Sequence, residues 1–393
     1  MRLIFVSNYL THHQIPLCLE LYRVLNSEFL FIATSDIRIW QQEQGYCIEQ
    51  EYPFVLHVNS TEEDNNYDRI VQMIINSEVV LFGSAPEDFL LKRLKYKKEG
   101  ITFRYSERLY KRGLWRAFSP RGILRSLNSY HRFYGRKLFM LCASAYTSGD
   151  LLLHGDYINR CYAWGYFPKL VEYDLDTLMN NKPKERLKLV WCGRLIKWKH
   201  PEVVVDLAFR LKQQGIEFDL ELIGTGELEE ELRHRIVELD LTNQITLTGA
   251  LEPTKVRRSM EAANIFLVTS DYEEGWGAVL NEAMNSGCVV FASHAVGAVP
   301  YLIKDSINGF IYESGRREEL FEKVQRVINE PDLQKEIGSQ AYRTIYTEWN
   351  AQVAAERLLF LLEDLKVAGS SHRYFTGPCS KAKVIRNQWY QRK

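Results

Sequence analysis

The sequence predicts an α/β fold made of two doubly wound, Rossmann-like parallel-sheet domains that face each other across a cleft. Short apolar segments alternate with amphipathic segments along both halves of the 393-residue chain. Such alternation is typical of a parallel sheet covered by helices on both faces. The length is sufficient for two domains with separate cores, and residues 265–292 read as a complete βαβ unit.

In the first half, strands are predicted as short apolar runs and helices as periodic segments. Pro16 suits the first turn of the first helix. A polar segment at 171–186 is expected to link the two domains, so the N-terminal domain is expected to span residues 1–170. The predicted strands are 3–6, 29–33, 79–82, 101–104, 138–143 and 160–163, with helices at 16–25 and from about 86.

The second half repeats the pattern, and its domain is expected to span residues 187–349. Residues 350–393 are expected to form a helix that packs back toward the N-terminal domain, followed by a tail from Gly369 that the sequence leaves unplaced. Predicted strands are 187–191, 218–223, 245–247, 265–269, 289–292 and 309–312. Predicted helices are 201–213, 227–240, 253–263, 277–286, 316–329, 332–346 and 350–366.

Two carboxylates lie between the strands of the 265–292 unit. Glu274 precedes the helix and Glu282 lies within it, eight residues later. The amides of Trp276, Gly277 and Ala278 fall at the helix N-terminus, where unpaired N–H groups and the helix dipole bind phosphate. Phosphate donors beside carboxylates that can bind hydroxyl groups suit a nucleotide sugar. The alternative is two solvated acids with no ligand.

Two further loops follow predicted strands of the second half. Residues 193–199 contain Arg194 and Lys199, and arginine and lysine are the usual phosphate-binding cations; the alternative is an ordinary basic surface loop. The Gly224-Thr-Gly226 turn follows the next strand. A dinucleotide-binding fingerprint would need a third glycine where Glu229 stands, so that interpretation fails.

These motifs, in this order, resemble the retaining GT-B glycosyltransferases of the family-4 group. The resemblance covers about residues 187–349 and extends to Leu247–Leu251, which in relatives lies beside the nucleotide base. Asn281 departs from the apolar residue or proline usual there, and His294 stands where relatives often have aspartate. The resemblance implies catalytic roles for Glu274, Arg194 and Lys199 (the spacing favours Lys199 over Lys197), with Glu282 at the ribose. It also implies donor binding by Gly193, Gly224, Gly226, Leu251, Gly275, Trp276, Gly277 and Ala278.

The N-terminal domain matches that family less well. His12 and His13 follow the first strand and could touch donor phosphate or acceptor, or one of them could cap the following helix. Arg104 and Glu107 follow another predicted strand. We therefore treat these four residues as acceptor-side candidates.

No metal or other cofactor is expected. Asp174-Leu175-Asp176 has the form of a metal-binding Asp-x-Asp motif but falls in the predicted linker. The seven cysteines form no CxxC pair, which argues against a zinc or redox site and is compatible with a reducing compartment.

Charge is balanced overall, with 50 basic and 50 acidic residues, so composition does not indicate a nucleic-acid partner. Residues 104–137 are locally basic and aromatic, with Glu107 the only acid. This stretch is predicted to meet an anionic membrane surface, with Trp115, Phe118, Tyr130, Phe133 and Tyr134 as interfacial anchors; the alternative is a solvated face. No run reaches the roughly 18 apolar residues that span a bilayer.

Together these patterns predict a metal-independent, retaining glycosyltransferase. It would move a sugar from a nucleoside-diphosphate donor, expected to be UDP-linked, to a bacterial polysaccharide or lipid-linked oligosaccharide. A cytoplasmic location, peripheral on the inner face of the membrane, is expected. The alternatives are a GT-B nucleotide-sugar epimerase and a non-catalytic sugar-nucleotide-binding scaffold.

Overall fold

The chain divides into two compact units in a computed structural model. The structure describes residues 1–35, 51–58, 66–367 and 373–390. Unit 1 is Met1–Lys169 with Ala351–Arg386, and unit 2 is Leu170–Asn350 with the residues from Asn387. The helix that follows unit 2 in sequence, Ala351–Lys366, therefore belongs to unit 1 and packs on its first helix.

Unit 1 contains a seven-stranded parallel sheet in the order β3-β2-β1-β4-β5-β6-β7. Its strands are β1 (Leu3–Ser7), β2 (Phe29–Ala33), β3 (Val55–His57), β4 (Val79–Phe82), β5 (Ile101–Ser106), β6 (Leu138–Cys142) and β7 (Cys161–Ala163). Its helices are α1 (Ile15–Leu25), α2 (Asn66–Asn76), α3 (Glu87–Tyr96), α4 (Pro120–Ser129), α5 (Thr147–Leu152) and, after unit 2, α14 (Ala351–Lys366).

Unit 2 contains a six-stranded parallel sheet in the order β10-β9-β8-β11-β12-β13. Its strands are β8 (Leu187–Cys192), β9 (Phe218–Ile223), β10 (Ile245–Gly249), β11 (Ile265–Val268), β12 (Val289–Ser293) and β13 (Phe310–Tyr312). Its helices are α6 (Leu175–Asn180), α7 (Glu202–Gln213), α8 (Glu229–Glu238), α9 (Pro253–Glu261), α10 (Ala278–Asn285), α11 (Val299–Leu302), α12 (Arg317–Asn329) and α13 (Pro331–Thr347).

Both sheets contain a switch point, where the chain reverses the direction in which it adds strands. In unit 1 β1 lies between β2 and β4, and in unit 2 β8 lies between β9 and β11. Loops that leave adjacent strands toward opposite faces open a crevice at the carboxyl ends, where ligands bind in such sheets. The topology therefore identifies one candidate ligand edge in each unit.

The predicted fold class is confirmed, and the predicted strands are all present. The prediction omitted β3 and the helices α2, α4, α5, α6 and α11. Residues 171–186, the predicted linker, belong to unit 2. Asp174 caps α6 by accepting the Thr177 amide (2.8 Å), and buried Lys182 donates to the carbonyls of Ser286 (2.7 Å) and Met260 (3.2 Å).

Replacing Gly224 with alanine should strongly destabilise unit 2. A Cβ at Gly224 would lie 1.9 Å from the Gly193 carbonyl oxygen, and the residue has φ +134°. Gly215 is the matched control, because its φ is +70° but no heavy atom lies within 4 Å of the added carbon. We expect Gly215→Ala to cost about 1 kcal/mol of unfolding free energy and Gly224→Ala about 3 kcal/mol or more, measured by urea denaturation. Equal losses would show that the steric contact is relieved at no cost.

Candidate functional site

The basic loop after β8 and the glycine turn after β9 are bonded to each other along their backbones. The Gly193 amide donates to the Ile223 carbonyl (3.0 Å) and the Leu195 amide to the Thr225 carbonyl (2.9 Å). A Cβ at Gly226 would lie 2.3 Å from the Leu195 carbonyl oxygen. Glycine at 224 and 226 is therefore required for the two loops to share one surface at the carboxyl edge of the sheet.

The same loop is tied to the end of β11, across the switch point. Thr269 accepts the Trp191 indole N–H (2.9 Å) and donates its hydroxyl to the Lys199 carbonyl (2.6 Å). The Asp271 amide donates to the Trp198 carbonyl (3.0 Å). These bonds fix the basic loop beside the loop that contains Glu274, although the two are far apart in sequence.

Lys199 and Glu274 form an ion pair at this edge. Their side chains are 14% and 12% exposed, and the Ser270 hydroxyl also donates to the Glu274 carboxylate (3.3 Å). Because both charges are largely withdrawn from water, the pair is sensitive to any third charge that enters. An anionic ligand can compete with Glu274 for Lys199 and leave the carboxylate available to hydroxyl groups.

Two cations of the basic loop lie close to the ring of Trp198. The Arg194 guanidinium lies 5.7 Å and the Lys199 ammonium 4.8 Å from the ring centroid, within the range of cation–π attraction. Arg194 itself is exposed and can swing toward a ligand. Trp198 could not be singled out from the sequence, because one aromatic residue in a basic loop forms no recognisable pattern.

Glu282 lies beside the end of β8, on the first turns of α10. Arg257 is 3.9 Å from its carboxylate and donates to its backbone carbonyl (3.0 Å). Burial raises the pKa of Glu282 despite that cation. Burial and then the Glu282 charge raise the pKa of the neighbouring Cys192 thiol to about 12. The Glu282 carboxylate is thus partly buried at the edge of the sheet. Arg257, which the sequence analysis did not single out, positions it.

The start of α10 presents backbone to the edge. Gly277 has φ +88°, which a residue with a side chain adopts only under strain. The Trp276 side chain is fully buried and donates its indole N–H to Asn281 Oδ1 (2.8 Å), so only its backbone can contact a ligand. The departure at Asn281 has a structural explanation, because its amide satisfies a tryptophan in the core.

Unit 2 thus brings the predicted donor residues to one sheet edge. The end of β10 joins them, since the Gly224 amide donates to the Gly249 carbonyl (2.8 Å) and Leu251 follows two residues later. The residues that share this edge are Gly193, Arg194, Lys199, Gly224, Gly226, Leu251, Glu274, Gly275, Trp276, Gly277, Ala278 and Glu282.

Unit 1 has a cavity of about 720 Å³ at its own switch point, bordered by the loops after β1 and β4. His13, Arg104 and Glu107 line it, whereas His12 does not. Arg104 lies within β5 rather than after it, and its guanidinium is 3.4 Å from Glu87. Glu107 accepts the Tyr166 hydroxyl (2.6 Å).

The two histidines are not cations. Burial lowers the pKa of His12 to about 4 and holds that of His13 well below its ordinary value. A neutral imidazole can exchange hydrogen bonds but cannot balance a phosphate charge. Neither residue caps α1, whose N-cap is Gln14, so the capping alternative is wrong.

Within the described ranges, no group of three or more His, Cys, Asp or Glu side chains could hold a metal ion. Asp174 of the Asp-x-Asp sequence is used as a helix cap, and its hydrogen bonds to Thr177 lower its pKa. That role gives Asp174 a structural function as a helix cap.

His200 makes pH-dependent hydrogen bonds next to the basic loop. Its ring nitrogens lie 2.9 Å from Glu202 and 3.3 Å from Asp271, and hydrogen bonds to these carboxylates raise its pKa to about 9. A raised pKa means that the stabilisation is complete below about pH 6.5 and is lost as pH rises through about 9.

The free energy of unfolding should therefore fall between pH 6.5 and 9.5 more steeply in the wild type than in His200→Asn. Asparagine is the matched replacement because residue 200 has φ +52°, a conformation that asparagine tolerates. Parallel curves from denaturant titrations at several pH values would show that this histidine does not stabilise the loop.

Comparison with known proteins places these features in a recognised class. Residues 178–344 match the family model described as Glycosyl transferases group 1. Amylovoran biosynthesis glycosyltransferase AmsK of Erwinia amylovora is 30% identical over 184 residues, 46% of this chain and 45% of AmsK. Alpha-D-kanosaminyltransferase of Streptomyces kanamyceticus is 23% identical over 46% of each chain. The chain spans about half the length of these curated relatives.

Solved structures extend the likeness to both units. Anabaena HepE, in complex with UDP, aligns over 92% of this chain and 100% of its own with a TM-score of 0.67 and 16% identity. Sucrose-phosphate synthase from Thermosynechococcus elongatus aligns over 94% of this chain and 100% of its own with a TM-score of 0.64 and 13% identity. At such identities the comparison establishes the fold, which is the GT-B fold of two Rossmann-like units.

Proposed function

We propose that this protein is a glycosyltransferase that uses a nucleoside-diphosphate sugar, UDP-linked, as donor. The observation that carries the proposal is the edge of unit 2, where Arg194 and Lys199 lie beside Glu274 at a switch point. The group 1 domain over 178–344 supports it, as do the UDP complexes of the HepE and TarM structures, whose fold this chain shares.

The chemistry follows from what the edge can neutralise. Departure of a nucleoside diphosphate places growing negative charge on its phosphate oxygens, and preorganised cations lower that barrier. Lys199 and Arg194, with the first amides of α10, would receive the charge. Glu274, relieved of Lys199, would hold sugar hydroxyls, and Glu282 would hold the ribose.

We further propose that the reaction is metal-independent and retains the anomeric configuration. Support comes from the two cations already at the edge, which supply the charge that Mg²⁺ supplies elsewhere. The family resemblance supports retention. Product stereochemistry, read by NMR of the new glycosidic bond, tests it directly.

The acceptor is proposed to be a growing polysaccharide or a lipid-linked oligosaccharide, bound in the unit 1 cavity. That cavity offers neutral His13, Arg104 and the Glu107–Tyr166 pair, a mixture that suits hydroxyl groups. Relatives named for amylovoran and colanic acid biosynthesis are compatible with such an acceptor. Release of UDP that requires acceptor distinguishes a transferase from an epimerase and from a non-catalytic binding scaffold.

Removing the Lys199 ammonium should lower turnover by about 10²-fold, comparable to the loss of one oxyanion-hole donor. Lys197→Ala is the matched control, because Lys197 is exposed in the same loop and lies outside the proposed clamp. UDP release from Lys199→Ala, Lys197→Ala and wild type should be measured with and without excess EDTA. Wild-type turnover in Lys199→Ala would remove it from the site, and loss of activity in EDTA restored by Mg²⁺ would overturn metal independence.

Helix α4 of unit 1 buries its polar face and exposes its apolar face, which is the reverse of an ordinary surface helix. Its buried residues are Gly122, Ser126 and Ser129, and the two serine hydroxyls donate to Asp156 (2.7 Å) and Glu87 (2.5 Å). Its apolar residues face outward, with Ile123 44%, Leu124 55% and Leu127 49% exposed. A soluble helix normally buries that face, and this exposed apolar face supports the membrane proposal made below.

The neighbouring residues extend the same surface. Trp115 and Phe118 are 67% and 65% exposed, and Arg116, Arg121 and Arg125 are exposed around them. Two of the predicted anchors are wrong, because Tyr130 and Phe133 are buried. No helix in the described part of the chain is long and apolar enough to cross a bilayer.

We propose that this face rests on an anionic membrane, where the cytoplasmic enzyme would meet a lipid-linked acceptor. Apolar side chains enter the interface and each arginine adds about 1 kcal/mol near anionic lipid. Arg125 also lines the unit 1 cavity, so the proposed membrane face and acceptor cavity adjoin.

Wild-type protein should co-sediment with vesicles containing phosphatidylglycerol and should detach at about 0.5 M salt, where screening is strong. Changing Ile123, Leu124 and Leu127 together to serine should abolish binding even at low salt. So should charge reversal of Arg116, Arg121 and Arg125 to glutamate. Val237→Ser is the control, since Val237 is 62% exposed on α8 of unit 2. A wild type that ignores anionic vesicles at low salt would favour a solvated face and a soluble acceptor.

A further inference from the structure

The sequence after α14 forms a tail that follows unit 1 and then joins unit 2. In unit 1 it runs antiparallel along β7, where the Ala163 amide donates to the Ser380 carbonyl (2.8 Å) and the Ala382 amide to the Cys161 carbonyl (3.1 Å). From Asn387 onward the tail belongs to unit 2. Residues 379–382 are therefore hydrogen-bonded to unit 1, whereas residues 387–390 belong to unit 2.

In unit 2 the tail meets the loop that contains Glu274. The Tyr272 hydroxyl donates to the Asn387 carbonyl (3.0 Å). His294 Nε2 lies 2.8 Å from that hydroxyl and 3.2 Å from the same carbonyl. Tyr272 is two residues before Glu274, so the tail carbonyl is bonded to the proposed donor loop itself.

His294 is oriented by the opposite side of its ring. The Ser314 amide donates to Nδ1 (2.9 Å), so in the neutral ring the proton is on Nε2 and points at Tyr272 and Asn387. His294 begins the segment that braces the donor loop, where the Gly297 amide donates to the Glu274 carbonyl (3.3 Å) and the Ala298 amide to the Trp276 carbonyl (3.1 Å).

Tyr390 anchors the tail at a point away from the donor loop. Its hydroxyl donates to the Ile311 carbonyl (2.7 Å) and accepts the Lys323 ammonium (2.7 Å). Asp305 and Glu319 lie 3.3 and 3.2 Å from the same oxygen. The ring is 5.9 Å from the His294 ring, so the anchor also covers the histidine.

We propose that Asn387–Tyr390 is a positioning strap for the donor site, acting through Tyr272 and His294 to hold the Ser270–Gly277 loop in the conformation that accepts the nucleotide. The proposal rests on the proposed function, in that the loop must bind a nucleoside diphosphate. A loop that is competent for only part of the time binds its ligand more weakly in proportion to that fraction. The strap would raise the fraction without touching the ligand.

The test uses UDP as probe and the full chain as reference. A chain ending at Arg386, Tyr390→Phe and Tyr272→Phe should each raise the Kd of UDP about fivefold, because each change would release the donor loop from the same strap. Tyr374→Phe, in the part of the tail held by unit 1, should leave it unchanged. The double variant Tyr272→Phe/Tyr390→Phe should bind UDP with the same Kd as either single variant, because both changes release the same strap.

A pH series adds a readout that a purely structural role would not change. Burial lowers the pKa of His294, and the groups facing it are Tyr272, Tyr390, Trp389, the Asn387 carbonyl and the Ser314 amide, with Glu313 and Glu319 nearby. Protonation of Nδ1 as pH falls would break the Ser314 bond. UDP affinity should therefore fall more between pH 7 and 5 in the full chain than in the chain ending at Arg386, which controls for ionisation of UDP.

The outcomes separate the strap from the proposed function. A wild type that does not bind UDP overturns the proposed function. A wild type that binds UDP, with unchanged affinity in Tyr390→Phe and Tyr272→Phe at unchanged melting temperature, overturns the strap. If the chain ending at Arg386 fails to fold, the two single variants and their double variant decide the matter.

Discussion

The close approach of two backbone segments is the constraint on which the candidate donor edge depends. A side chain at Gly224 or Gly226 would overlap carbonyl oxygens of the 193–195 loop. With glycine at both positions, the loops after β8 and β9 hydrogen-bond to each other and Thr269 ties the assembly to β11. Because the loops are fixed before any ligand arrives, the charged groups they carry are already in place, which is the condition for electrostatic catalysis.

Within that frame, charges are held by partners that a ligand can replace. Lys199 is paired with Glu274 and lies over Trp198, while the exposed Arg194 also lies near that ring. Glu282 is kept in place by Arg257 through its backbone carbonyl as well as its carboxylate. In the proposed function, such an exchange of partners would let one edge bind anionic phosphates and neutral hydroxyl groups within a short distance of each other.

Unit 1 combines a polar cavity with an exposed apolar helix face. Its cavity is lined by neutral histidine and by paired charges, whereas α4 buries serine and exposes leucine. The serine hydroxyls donate hydrogen bonds to Asp156 and Glu87, and these bonds stabilise the buried position of that face. The exposed apolar face is then a consequence of how the helix is held, and exposed arginines surround it.

The sequence by itself determined the fold class, the strands other than β3, and the motifs of the candidate donor edge, because buried parallel strands are recognised as apolar runs and the loops follow their carboxyl ends. It also predicted a basic, aromatic surface at 104–137. Only the tertiary structure decided which residues of that surface are exposed. Periodicity shows that α4 has two faces but not which one is buried. Tyr130 and Phe133 follow α4 in sequence, and a basic, aromatic composition does not show that they are buried, so they were wrongly expected outside. The neutral state of His12 and His13, the role of Asn281 toward Trp276, and the contacts of Tyr390 likewise depend on burial and on partners distant in sequence. No local pattern encodes those contacts, since each arises from where the sheet places another part of the chain.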